Sequence, residues 1–459
     1  PLYERFGRLA SPTLHQEVRE AWAAAPEGPE RARLRALAAF TARHLLEVGV
    51  APLRDRLAAA EAAALLRVEG REIPLPDFEA ALRDEPDRTM RGRMEAAHAE
   101  ALRAVSPLRA EVLARIQDGA AALGYAGVAG LCRTLGPAGL EALAAQAQAI
   151  LEQTEGMYEE TLAWALRRHL HVRLKEARRH DLLRLFRASW LDPLFPERLL
   201  LPAAEVTLRA LRLDLTAAGR IRLDLEERPG KAPRPFVAPS EVPDRIYLVA
   251  RAASGLEAYE AFWRALGHAL HCAHTDGNLP VEERRLGDAS VAEVHASLLE
   301  GLVREAGWLT RFLEVGQPRD ALWVAHLKLL GLLRRSAATL QHELLLPEGR
   351  NGEVRVEAYR YLLGQATAAE VSPELALADA DPFCASAHTL RGWMGAALLA
   401  DGLRERFDED WYRNDRTGPF LRELWRQGLR PTLETLLQHL GLGPLTPEPL
   451  LRRITQDLQ

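Results

Sequence analysis

Apolar positions recur at helical spacing along most of this chain, and Ala, Leu, Arg and Glu, all strong helix formers, fill the positions between them. Residues 1–60 carry such a repeat, broken at Pro26 and Pro29. Val68 to Pro76 reads as a short extended stretch that turns at Gly70. Helices resume from Asp77 to Asp192, with breaks expected at Pro107, around Gly124 to Gly130 and at Gly136-Pro137. Leu140, Leu143 and Ile150 keep the period through an alanine-rich block, and no internal repeat stands out. The texture changes after Asp192, where Pro193, Pro196 and Pro202 punctuate the chain. Alternation at period two then predicts strands at Val206 to Leu213, Ile221 to Leu225 and Ile246 to Val249, the first two joined by a hairpin turn at Ala218-Gly219. A small sheet is therefore expected at about 204–250. Helices return at Gly255 and continue to the end.

Two of these later helices carry polar groups that their apolar stripes do not explain. In the helix expected from Gly255 to Thr275, Tyr259, Phe262, Leu266, Ala269 and Leu270 form the buried stripe. Arg264 and His268 stand four apart on a neighbouring face, so they project from successive turns. His271 and Cys272 follow. The next strong helix, 289–313, buries Val291, Val294, Leu298, Leu302, Leu309 and Phe312 and shows Glu293, Ser297 and Glu300 on another face.

Composition narrows the class. The 459 residues are 48% hydrophobic and 27% charged, which suits a large globular body rather than a disordered chain. No apolar window is long enough for a transmembrane helix, and Pro1 to Glu20 lacks the apolar core of a secretory signal. No membrane association and a cytoplasmic location are the resulting expectations. Three cysteines, Cys132, Cys272 and Cys384, with no CxxC among them, exclude a disulfide scaffold and a zinc ribbon. A net charge of −5 gives no reason to expect nucleic acid as a partner. The arginine-rich stretch from Arg167 to Arg187 reads as a solvated helix face.

Phe262-Trp263-Arg264-Ala265-Leu266-Gly267-His268-Ala269-Leu270-His271 resembles the zinc helix of the oligoendopeptidase F and thimet oligopeptidase family, whose motif runs His-Glu-x-Gly-His-x-x-His. Ala292-Glu293-Val294-His295-Ala296-Ser297-Leu298-Leu299-Glu300 resembles the family's helix for the third ligand, with Glu293 standing 25 residues after His268 as in that pattern. Asp224-Leu225-Glu226-Glu227-Arg228-Pro229-Gly230-Lys231 and Gly395-Ala396-Ala397-Leu398-Leu399-Ala400 are similar to flanking segments. The likeness spans Asp181 to Leu442 and fades in the N-terminal third. It implies a mainly α, gluzincin-like fold: a two-lobed helical body with a cleft and a small sheet beside the zinc helix. The division expected is a helical region at 1–192 and a metallopeptidase-like region at 193–459.

The departures decide the expected function. Arg264 stands where the first histidine ligand belongs, and Ala265 where the general base belongs. Arginine has no lone pair to give a metal, and alanine takes no proton from water. Only His268 and Glu293 match ligand positions. Cys384, His388 and Trp393 stand near where the family has substrate-binding tyrosines, and Arg234-Pro235-Phe236 replaces a glycine-rich peptide-binding loop. The resemblance thus implies a pseudopeptidase without zinc or another cofactor, binding peptides or a protein partner. Arg264, Ala265, His268, His271 and Glu293 would form its vestigial site, and His268, Glu293 and His388 would face ligand. Two alternatives stay open: a rebuilt zinc site using His268, Glu293 and Cys272 or His271, and an enzyme that reuses the cleft without metal. In the first reading His271 packs behind the site, Cys272 is a small buried hydrophobe, and Asp224, Arg228 and Lys231 support the sheet edge. A further expectation is an ion pair of Arg264 with Glu293, with His268 alongside, since a carboxylate left without its metal needs a countercharge.

Overall fold

A computed structural model describes residues 6–226, 228, 230–232, 234–346 and 352–459. Pro1 to Arg5, Glu227 and Pro229, which enter the sequence reading, lie outside the described residues. The chain is mainly α, with two small sheets among the described residues. No described helix is long and apolar enough to cross a membrane. The chain forms two compact units, Pro1–Leu185 with Gly331–Ala387, and Phe186–Leu330 with His388–Gln459. A single division at 192/193 is corrected accordingly: 331–387 packs with the first unit, because tertiary contacts need not follow chain order.

In the first unit, strands β1 (Leu65–Val68) and β2 (Arg71–Pro74) form an antiparallel hairpin. Its turn runs through Glu69 and Gly70, both at positive φ, as the glycine suggests. Leu66 and Val68 bury against Phe78, Leu82 and Met94. The long helix Arg88–Ala122 runs straight through Pro107, contrary to the expected break. Leu102, Val105, Val112 and Ile116 are buried on either side of the proline, and that packing outweighs one lost backbone bond. The Arg167–Arg187 stretch is also not one solvated face. The helix ends at Leu170, His180 and Asp181 are buried, and Asp181 takes guanidiniums from Arg88 and Arg91.

In the second unit, Val206 to Leu213 does not form a strand; residues Glu197–Ala210 are helix. Leu200, Ala203, Ala204, Thr207 and Leu208 are buried at spacings of three and four, while Val206 is 47% exposed. Helical burial therefore overrode an apparent alternation. The Ala218-Gly219 turn joins that helix to strand β3 (Ile221–Asp224) and closes no hairpin. β3 pairs in parallel with β5 (Arg245–Val249), whose other side carries β4 (Phe236–Glu241) antiparallel. Phe236, read from the sequence as part of a loop, thus starts an edge strand. Lys231 supports β3 as expected: its ammonium donates to the Asp224 carbonyl at 3.0 Å, and Arg228 pairs with the Asp224 carboxylate. The sheet, the site helix Leu256–His274 and the facing helix Ala289–Glu300 share one large apolar core. That facing helix stops at Glu300, shorter than the expected 289–313. A 3₁₀ turn, Gly301–Arg304, and a new helix, Ala306–Phe312, complete the span.

Candidate functional site

The site helix and its facing helix touch backbone to backbone. A Cβ added at Gly267 would lie 2.7 Å from the Ala296 Cα and 2.7 Å from the His295 carbonyl oxygen. Glycine is therefore required there by proximity and not by a turn. The close approach brings Arg264 and His268 opposite Glu293, Ser297 and Glu300, the two polar faces singled out in the sequence.

Arg264 and Glu293 form the expected ion pair. One guanidinium nitrogen donates to Glu293 Oε2, and the other donates to Ser297 Oγ at 3.0 Å and Glu300 Oε2 at 2.8 Å. His268 Nε2 lies 3.4 Å from the other Glu293 oxygen. The pair keeps modest solvent contact, with side chains 27% and 21% exposed. Burial opposes ionisation of Glu293, yet the bond from His268 and the charge of Arg264 hold its carboxyl below the usual carboxylate range. Glu300 is likewise held down, against its burial, by Arg304 and Arg264.

The network extends past what the sequence reading named. Arg304 donates to Glu300 at 3.3 Å and to Glu260 Oε1 at 2.7 Å, and Lys328 donates to Glu260 Oε2 at 2.6 Å. Charge thus alternates from Lys328 through Glu260, Arg304, Glu300 and Arg264 to Glu293, every member paired. A signal existed in the sequence: Glu260 and Arg264 stand four apart, as do Glu300 and Arg304, on two helices already expected to face each other.

The remaining candidates separate. Ala265 is 5% exposed and offers no base. His271 is buried; its Nε2–H donates to the Gly428 carbonyl at 3.1 Å, and burial lowers its pKa to about 4. It packs behind the site, 4.9 Å from the His295 ring. Cys272 is shielded, and burial pushes its thiol up to about 11, the reverse of what a ligating thiolate needs. His388 comes to the N-terminal end of the facing helix, its Nδ1 3.0 Å from Ser290 Oγ and 3.9 Å from Asp288, which caps that helix. It is joined there by Arg391, which donates to Ser290 and Asp288. Gly392, on the next turn, has its α-carbon face against Glu293, where an added Cβ would sit 2.5 Å from the Glu293 Cβ.

A zinc ion does not fit these residues. A permanent cation already lies against the Glu293 carboxylate, both of whose oxygens are engaged. His271 and Cys272 are held as a neutral donor and a protonated thiol. Among the described residues, no three His, Cys, Asp or Glu side chains are grouped to hold a metal.

No sequence-family profile and no curated protein matches the chain. Solved structures do. PZ peptidase A with an inhibitor superposes with a TM-score of 0.69 over 97% of this chain and 84% of that one, at 14% identity. A structure assigned as oligoendopeptidase F gives 0.69 over 97% and 83%, at 16% identity. Another so assigned, from Bacillus anthracis str. Ames, gives 0.66 over 97% and 82%, at 15% identity. Identities this low speak to the fold alone, and with the helix pair described above they show that the chain has an oligoendopeptidase F-like fold.

Proposed function

We propose that the chain is a pseudopeptidase: a zinc-free protein on an oligopeptidase fold that binds peptide segments, free or within a protein partner, without cleaving them. One observation carries this reading. The guanidinium of Arg264 occupies the Glu293 carboxylate, so the position that would draw a catalytic metal holds a fixed cation with no lone pair. With Ala265 beside it, neither an activated water nor a proton acceptor is supplied there. Positioned proton transfer alone contributes about 10²–10⁴-fold to such reactions, and metal activation of water adds to it. The peptide-binding part of the reading rests on the kind of fold.

The test uses purified protein, elemental analysis and a pool of short quenched-fluorescence peptides. Zinc well below stoichiometry, retention of a subset of peptides in equilibrium dialysis and no chelator-sensitive turnover are expected. Turnover abolished both by a chelator and by His268→Ala would refute the proposal.

A further inference from the structure

Cys132 and Cys384 stand about 250 residues apart in the chain, yet both belong to the first unit and both are buried, each 3% exposed. Cys132 Sγ donates to the Pro382 carbonyl at 3.5 Å, which sets it against the turn that leads into Cys384. The two thiols are also hydrogen-bonded to each other. The turn is held on several sides. The Asp381 carboxylate accepts from the Phe383 N–H at 2.7 Å, the Asp381 carbonyl accepts from the Cys384 N–H at 3.3 Å, and the Arg43 guanidinium lies 4.7 Å from the centre of the Phe383 ring. Cys384 itself has a φ of 55°, in the left-handed region that glycine or asparagine usually fills. A reactive side chain kept at such a position points to a role for that side chain.

A buried free cysteine commonly serves as a small apolar residue. That accounts for one thiol in a core. It does not account for two in direct contact, brought together from distant segments by a braced turn. Reacting groups already held in contact have most of the entropy of meeting removed in advance, so the two sulfurs need only lose their hydrogens to be joined. Burial shields both from bulky thiols and disulfides, so the oxidant that suits them is a small one.

We propose that Cys132 and Cys384 are an oxidative modification site, at which hydrogen peroxide converts the two thiols to one disulfide. One sulfur attacks the peroxide, the O–O bond breaks, and a sulfenic acid and a water result. The second sulfur then attacks the first and displaces its oxygen as another water. The two thiols give up two electrons, peroxide takes them, and both thiol protons end in water. A single cross-link of this kind is not the disulfide scaffold that three cysteines exclude. Its effect follows from its place. Cys384 immediately precedes the helix Ala385–Phe407, which carries His388 and Arg391 to Ser290. The bond ties the start of that helix to the helix Gly127–Leu135, and closing so long a loop restrains the unfolded chain, so the oxidised form is the more stable one. The inference depends neither on zinc nor on peptide binding.

The test uses the unaltered protein, held well below its melting temperature and treated with a modest excess of hydrogen peroxide. Catalase stops the reaction, and the chain is then unfolded in iodoacetamide and digested without reductant. The peptides of Cys132 and Cys384 should appear as one linked species, lighter by two hydrogens than their sum, while Cys272 is recovered alkylated. The melting temperature should rise by several degrees and return after prolonged reduction. Cys132→Ser and Cys384→Ser should each lose both the linked species and the rise, which separates the effect from methionine oxidation. Recovery of Cys132 and Cys384 as separate alkylated or sulfinic forms, or linked to Cys272 or to another chain, would overturn the proposal. That readout comes from the unaltered protein, so it stands even where a variant fails to fold. A rise that persists in a folded Cys384→Ser variant would sink the stabilising role.

Discussion

At Arg264 the physical requirement that the side chain meets is plain. Glu293 and Glu300 project from one helix toward the other, and two partly desolvated carboxylates need positive charge between them. The guanidinium offers it as a fork, binding both acids and Ser297 at once, which a lysine could not do in that geometry. Arg264→Ala is therefore expected to destabilise the protein by about 2–4 kcal/mol, somewhat under the cost of breaking a fully buried pair because the side chains keep some solvent contact. Arg264→Met combined with Glu293→Gln should cost less than Arg264→Ala alone, since Arg304 still holds Glu300. Denaturant midpoints of the two variants at neutral pH decide it. A double variant as unstable as the single one would show that the guanidinium acts through packing and not through charge.

The helix pair is the element that makes the site possible. Gly267 lets the two backbones meet, and this contact fixes the distance from positions 264 and 268 to Glu293. On the reading that positions 264 and 265 correspond to the resemblance's first ligand and base, placing those residue types there should create a metal site. Arg264→His with Ala265→Glu places two imidazoles one turn apart opposite Glu293, and stoichiometric zinc binding by calorimetry is the expected outcome. Peptide cleavage is not expected to return, because Cys384, His388 and Trp393, which the resemblance sets near the family's substrate-binding tyrosines, carry no phenol hydroxyl. A double variant that folds but takes up no zinc would mean that the helices do not hold these positions as described.

For the whole molecule, acid stability follows from groups buried without charge. Burial lowers the pKa of His15 and His98 to about 4 and that of His326 to about 3, with nearby arginines adding to the effect. The unfolded chain takes up these protons near pH 6.5, before the folded chain does. Stability must therefore fall as pH drops from about 6.5 toward 4, the window in which the unfolded state binds more protons. The depressed carboxyls of Glu293 and Glu300 act lower down. Their contribution is present above the ordinary carboxylate pKa and is lost as pH falls through their folded values. Urea midpoints should decline from pH 7 to pH 5. His98→Gln, which removes the imidazole stacked on Phe78 at 4.1 Å, should make that decline shallower. Equal midpoints at pH 7 and 5 would contradict the assignment of neutral buried histidines.

The sequence by itself determined the helical character, the two site helices and the pairing of Arg264 with Glu293. Helix periodicity is local, so residues four apart share a face wherever the helix packs; that the two polar faces meet was implied by the resemblance of both helices to the oligoendopeptidase F motifs. Tertiary structure decided the rest. Alternation at Val206–Leu213 looked like a strand until burial of Leu200, Ala203, Thr207 and Leu208 selected the helix. β4 could not be read from residues 236–241, because Phe236, Pro239 and Ser240 gain strand geometry only by pairing with β5. The return of residues 331–387 to the first unit, and the ladder from Lys328 to Arg264, join positions far apart in the chain. Such contacts are set by which surfaces bury together; local pattern offered only the four-apart pairs Glu260/Arg264 and Glu300/Arg304, not their joining.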